Sequence, residues 1–224
     1  SSVGQLSVVA IKDDPLVDRV VLGESEASEF SLRSKHTEDN PDTEEDETTY
    51  FGCQCMWWAA ANAVRAEARG VTRWRNANER FGDWKPISDE RTGKETRGNA
   101  SVWLDQARNH DWAIGDGPAS DSVVVFSPQA GWKDEAGVVW GGVPNEGHVG
   151  WVYRYEQDTG NFWFSDFNFS TADVQSGQRG YLASCYSANY QASVLAVKQN
   201  DGTWEINGKR YRIQGFIYGT PPVA

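Results

Sequence analysis

The order in which helical and strand-like patterns follow one another is the strongest constraint on this fold. Residues 56–68 are Ala-rich with apolar positions at helical spacing, and a second segment of this kind starts near Asn99. Runs of β-branched and aromatic residues then follow. They are VVVF (123–126), HVGWVYRY (148–155), NFWFSDFNF (161–169), SVLAVK (193–198) and GFIYG (215–219). Helices that precede a set of strands predict an α+β fold, with N-terminal helices packed on a central antiparallel β-sheet.

The chain before residue 49 has a different composition. Residues 24–49 are dense in Glu, Asp, Ser and Thr and poor in aliphatic residues, so they have little apolar surface to bury. Residues 1–48 are therefore predicted to form an acidic, largely flexible arm or linker, with candidates for short strands near 6–22. Residues 49–224 are predicted to form one folded domain, in which the polar stretch 71–97 is expected to be loops.

Charge and hydropathy exclude two classes of partner. A formal net charge of -11 argues against nucleic acid, because phosphate binding needs a surface rich in Lys and Arg. No apolar run approaches the roughly 20 residues that a membrane-spanning helix needs, so no membrane span is expected. The chain does contain 11 Trp, a residue type that often lines grooves for sugars or peptides.

The cysteines form an odd set of three: Cys53, Cys55 and Cys185. One disulfide plus one reactive thiol would explain this number, although three free core cysteines would explain it equally well. Cys55 lies at the predicted start of a helix, where unpaired backbone N–H groups and the helix dipole favour a thiolate. Cys55 is therefore a candidate nucleophile, which needs partners to be effective.

Candidate partners lie on two of the predicted strands. Of the three histidines, His36 lies in the acidic arm and His110 ends a polar helix, whereas His148 begins an apolar strand. A Cys-His pair also needs a third polar group that orients the imidazole. Asp166 and Asn168 are two residues apart, so on a strand they share a face, and a turn at QDTG would bring that strand beside His148.

Six short motifs occur in an order typical of a known family. They are GCQCMWWAAANA, RGNASVWLDQA, SDSVVVFSP, EGHVGWV, FSDFNF and GFIYG, spread over residues 50–219. Together they resemble the CHAP domain family, the cysteine, histidine-dependent amidohydrolases/peptidases. The resemblance implies a papain-like CHAP fold for residues 49–224.

The resemblance also implies roles for individual residues. Cys55 would attack an amide carbon, His148 would be the base, and Asp166 would orient His148, with Asn168 as a second polar residue. The oxyanion would be held by the backbone N–H of Cys55 and, as a second candidate donor, by Tyr50.

The sequence departs from the family pattern at several positions. Asp166 stands where Glu is more usual, and Met56 follows the nucleophile where a small residue is common. An insertion at about 128–146 directly precedes His148 and is expected to form one wall of the substrate groove. The residues expected to bind substrate are Trp57, Trp132, Trp140 and Trp151.

Two further features lie close to the predicted nucleophile. Cys53 competes with Cys55 for that role, but it precedes the helix and is a candidate for a disulfide with Cys185. The acidic run before the site has alternating oxygen ligands that suit Ca²⁺, although thiol hydrolysis requires no cofactor. The weak Ca²⁺ candidates are Asp42, Glu44 and Asp46.

The function implied by the resemblance is hydrolysis of amide bonds in bacterial peptidoglycan, as an endopeptidase or an N-acetylmuramoyl-L-alanine amidase. Such a protein would be secreted, held at the bacterial cell surface or derived from a phage, as a monomer or as part of a larger wall-associated protein. Two alternatives remain. One is a non-catalytic wall-binding module, and the other is a thiol amidase or transferase with a different amide substrate.

Overall fold

A computed structural model describes residues 55–88, 95–167, 169 and 190–220, together with two short strands near the start of the chain. These strands are β1 (Ser7–Ala10) and β2 (Asp18–Val21), and they pair with each other in antiparallel fashion. They lie in the range where short strands were expected. The rest of the predicted arm lies outside the described residues.

The longest helix in the described chain, α1 (Cys55–Ala68), opens at the predicted nucleophile. Its Ala-rich sequence has high helix propensity. The helix ends as predicted, because Gly70 adopts a φ of +87° and the Val71 N–H donates to the Ala66 carbonyl. Within the described residues, no helix has both the length and the apolar character needed to cross a membrane.

The remaining helices are short. They are α2 (Ala77–Gly82) and α3 (Trp103–Asn109), with 3-10 turns at Thr72–Trp74 and Ala100–Val102. The second predicted helix is thus present, but its α-helical part begins at Trp103, after a 3-10 turn that follows Asn99. The prediction of loops was wrong for Thr72–Trp74 and Ala77–Gly82, because the buried side chains of Trp74 and Phe81 hold this turn and this helix against the core.

Strands dominate the second half of the chain. The long ones are β6 (Ser122–Phe126), β9 (His148–Tyr155), β10 (Phe162–Phe167), β11 (Tyr190–Lys198) and β14 (Ile213–Gly219). These correspond to the five predicted runs. The shorter ones are β3 (Ile87–Ser88), β4 (Glu95–Thr96), β5 (Ala113–Gly115), β7 (Trp132–Lys133), β8 (Val139–Trp140), β12 (Trp204–Ile206) and β13 (Lys209–Tyr211).

The architecture corrects the predicted fold class. The main sheet has ten strands in the order β5-β14-β6-β9-β10-β11-β12-β13-β8-β7, and the β13–β8 pair is parallel. The described chain is therefore mostly a curled mixed sheet with few helices. It is not the papain-like arrangement of N-terminal helices packed on an antiparallel sheet. The difference arises because residues 128–146 and 204–211 supply four short strands that extend the sheet.

Side-chain contacts across the sheet reveal its curl. Phe216 on β14 and Trp204 on β12 are far apart in strand order, yet their ring centroids are 6.5 Å apart. Phe162 on β10 contacts both rings, at 5.4 and 4.9 Å. Burial of these aromatic side chains favours a sheet that wraps around them.

A second core lies between α1 and the other face of the sheet. It holds seven of the 11 tryptophans, so most tryptophans are buried in this core and do not line a groove. They are Trp57, Trp58, Trp74, Trp84, Trp103, Trp112 and Trp151. This core fixes α1 against β9 and β10.

The predicted insertion is part of the sheet. Its hairpin, β7–β8, pairs through Trp140 with Arg210 on β13. The Gln129 amide donates to the Gly141 and Arg210 carbonyls and accepts from the Arg212 N–H. The half-buried amide of Gln129 therefore ties the insertion to the last part of the chain.

Candidate active site

Cys55 is the first residue of α1 and is a half-buried free thiol. A thiol at this position lies beside backbone N–H groups that have no partner within the helix. The helix is held against β9 and β10 by its buried alanines and tryptophans. Its first turn therefore has a fixed place relative to the sheet.

His148 is the first residue of β9 and is only 4% exposed. Phe169 stacks on its imidazole with ring centroids 4.3 Å apart, and the Phe126 ring lies at 5.5 Å. The preceding Gly147 has a φ of +79°, and a Cβ there would lie 2.4 Å from the Ser101 backbone nitrogen. The chain thus enters β9 in a conformation and at a distance that only glycine permits.

Asp166 lies on β10, the strand beside β9, and is fully buried. Its Oδ2 is 2.7 Å from Nε2 of His148. A carboxylate at this distance accepts a hydrogen bond from the Nε2–H and fixes the orientation of the ring. Nδ1 of His148 is then the nitrogen available to the thiol.

The three groups interact electrostatically. Burial is the largest influence on His148 and lowers its pKa, but the negative charge of Cys55, the hydrogen bonds to Asp166 and Cys55, and the charge of Asp166 together outweigh it. They raise the pKa of His148 from 6.5 to about 9. The interaction of Cys55 with His148 brings a nucleophile and a base together, and Asp166 orients the base.

The tryptophans predicted to bind substrate occupy two kinds of position. Trp57 and Trp151 are 0% and 3% exposed, which corrects their assignment, because neither ring offers surface to a substrate. Trp132 is 56% exposed and lies opposite Trp140 in the β7–β8 hairpin. Trp140 is fixed there by a 3.0 Å hydrogen bond to Asp134 and by the Arg212 guanidinium over its ring.

Several predicted residues lie outside the described part of the chain. These are Tyr50, Cys53, Asn168 and Cys185, with the Ca²⁺ candidates Asp42, Glu44 and Asp46. Their roles remain predictions, including the disulfide. Among the described residues, no group of three or more His, Cys, Asp and Glu side chains could hold a metal ion.

Sequence reasoning missed two residues beside His148 and Asp166. Phe169 covers the imidazole, and the alternation in FSDFNF was the available signal. Gln191 lies directly opposite Asp166 on β11 and is 6% exposed. Neither polar atom of its amide has a hydrogen-bond partner in the part of the chain that the structure describes. Only strand register places Gln191 here, so no motif could have found it.

Comparison with known proteins gives no further information on this site. Comparisons with models of protein families, with curated proteins and with solved structures each found no match.

Proposed function

We propose that this chain is a cysteine hydrolase that cleaves amide bonds in bacterial cell-wall peptides, at the cell surface or outside the cell. The observation that carries the proposal is the buried 2.7 Å contact between His148 and Asp166, with Cys55 close enough to the same imidazole to raise its pKa. The resemblance of the motifs around these residues to the CHAP domain family supports the substrate class.

The reaction would begin with an ion pair of Cys55 thiolate and His148 imidazolium. The Cys55 sulfur attacks the amide carbon, and the backbone N–H groups at the start of α1 can stabilise the oxyanion. His148 donates its Nδ1 proton to the leaving amine as the C–N bond breaks, which gives a thioester. Neutral His148 then takes a proton from water, which attacks the thioester and releases the acid and the thiol.

Asp166 contributes by holding one tautomer. With Nε2–H bonded to Asp166, Nδ1 is the atom that exchanges protons with Cys55 and the leaving group. The stacked Phe169 and the neighbouring Phe126 keep water from competing for the His148–Asp166 bond.

Digestion of purified peptidoglycan tests the proposal. The parent protein is expected to release soluble fragments, and Cys55→Ala is expected to release none above background, because the nucleophile is gone. Cys53→Ala is the matched control and is expected to keep parent activity. Mass spectrometry of the products assigns the bond, since free N-terminal Ala indicates an amidase and new termini within the peptide indicate an endopeptidase.

Two results would contradict the proposal. Equal digestion by the parent and Cys55→Ala would show that this thiol is not the nucleophile. Sedimentation of the parent with peptidoglycan without release of fragments would favour a wall-binding module instead.

A further inference from the structure

Three consecutive residues of β10 contact either the base His148 or α1, the helix that begins with Cys55. Asp166 bonds to His148. Ser165, on one side of it, accepts a 2.9 Å hydrogen bond from Nε1 of Trp58 on α1. Phe167, on the other side, packs edge-on against Trp57 and Trp58, at 5.7 and 5.3 Å. Alternation of side chains along the strand thus directs residues 165 and 167 to the helix and residue 166 to the base.

The hydrogen bond from Trp58 to Ser165 is shielded from solvent. Trp58 is 1% exposed and Ser165 is 0% exposed. Trp58 lies one helical turn after Cys55, and Ser165 immediately precedes Asp166. This bond therefore links the helix that carries the thiol directly to the strand that carries the orienting carboxylate.

A hydrogen bond restricts α1 in a way that the aromatic contacts do not. Ring packing favours close approach but tolerates sliding, whereas an N–H donor and a hydroxyl acceptor need a defined distance and direction. The indole has a single donor, and because it is buried, water cannot replace Ser165 as the acceptor. This bond therefore sets the position of α1 along β10.

We propose that Ser165 is a positioning residue, which through Trp58 holds Cys55 at reacting distance from the His148–Asp166 pair. The inference rests on the proposed function, because it assigns Ser165 a part in the same reaction. A shift of about 1 Å between reacting groups can cost about 100-fold in rate. Loss of this bond is thus expected to lower kcat by more than the accompanying loss of folding stability would explain.

The test compares two buried serines. Ser165→Ala removes the acceptor of Trp58, and Ser122→Ala removes another fully buried hydroxyl, which lies on β6 and donates to the Ala119 carbonyl. Both are expected to lower the midpoint of urea unfolding. Only Ser165→Ala is expected to lower kcat, by about tenfold or more with little change in KM, and to slow alkylation of Cys55 by iodoacetamide in the folded protein.

Trp58→Phe provides a second route, since it removes the donor while it keeps an aromatic ring in the core. Its loss of kcat and that of Ser165→Ala are expected not to add in the double variant, because both remove the same bond. The inference is overturned if Ser165→Ala matches Ser122→Ala in kcat and in alkylation rate, or if the losses add. Failure of the proposed function is a different result, in which the parent and Cys55→Ala digest peptidoglycan equally.

Discussion

His148 is the residue whose environment most determines how this site responds to pH. Cys55 and Asp166 outweigh the effect of burial and raise its pKa to about 9. The imidazolium that protonates the leaving amine is therefore present below about pH 9 and is lost as pH rises through that value. The rate of amide hydrolysis is expected to fall on the alkaline side near this pH.

Replacing Asp166 by Ala removes a hydrogen bond and a charge that both raise the His148 pKa. The alkaline limb of the kcat/KM profile is therefore expected to move to lower pH, and kcat is expected to drop by about 100-fold or more because the ring loses its orientation. Asp105→Ala is the control, since Asp105 is exposed and pairs with Arg108. An alkaline limb that stays in place in Asp166→Ala would refute the role of Asp166.

At the residue scale, sequence reasoning reached the groups with distinctive chemistry. Cys55, His148 and Asp166 were selected from the sequence, and the structure brings them together. Ser165 and Gln191 were not selected, because a serine or glutamine on a strand has no chemical signature of its own. Their relevance depends on which residue lies opposite or beside them in the folded sheet.

At the element scale, the entry into β9 is the most restricted point of the backbone near the site. Gly147→Ala is expected to destabilise the fold by more than about 3 kcal/mol, because a side chain is strained at positive φ and the new Cβ overlaps the Ser101 backbone. Gly137→Ala is the matched control. Gly137 has a φ of +85° with no atom near its Cβ position, so only the conformational cost of about 1 kcal/mol is expected.

Urea unfolding of both variants measures this difference, and kcat measures whether His148 has been displaced. Equal destabilisation of the two variants would show that the close approach to Ser101 does not constrain β9.

Element prediction succeeded where a run was long and apolar, and β9 has the bounds that its pattern predicted. The short strands β12 and β13 were missed, although Asn207 and Gly208 between them, both at positive φ, are a recognised hairpin turn. The strands β7 and β8 carry little pattern of their own. They depend on β13 and on the Gln129 side chain, which lie elsewhere in the sequence.

At the scale of the whole molecule, the predicted fold class was wrong for a related reason. The pattern of helices followed by strands was read correctly for α1 and for the long strands. It did not indicate that a parallel contact between Arg210 and Trp140 joins the insertion to the sheet, or that aromatic packing between β14 and β12 curls it. These contacts join residues 70 and 12 positions apart and depend on how the strands pair, which local periodicity does not encode.

The central claim is that Cys55 is a nucleophile activated by His148. Brief iodoacetamide labelling of the folded protein at pH 6 to 7, with mass spectrometry of the digest, tests it without assuming a substrate. Cys55 is expected to be labelled before Cys53 and Cys185, because its sulfur interacts with His148. His148→Ala is expected to slow labelling of Cys55 by about tenfold or more, and His110→Ala to leave it unchanged. Labelling of Cys55 at the same rate in all three proteins would contradict the account.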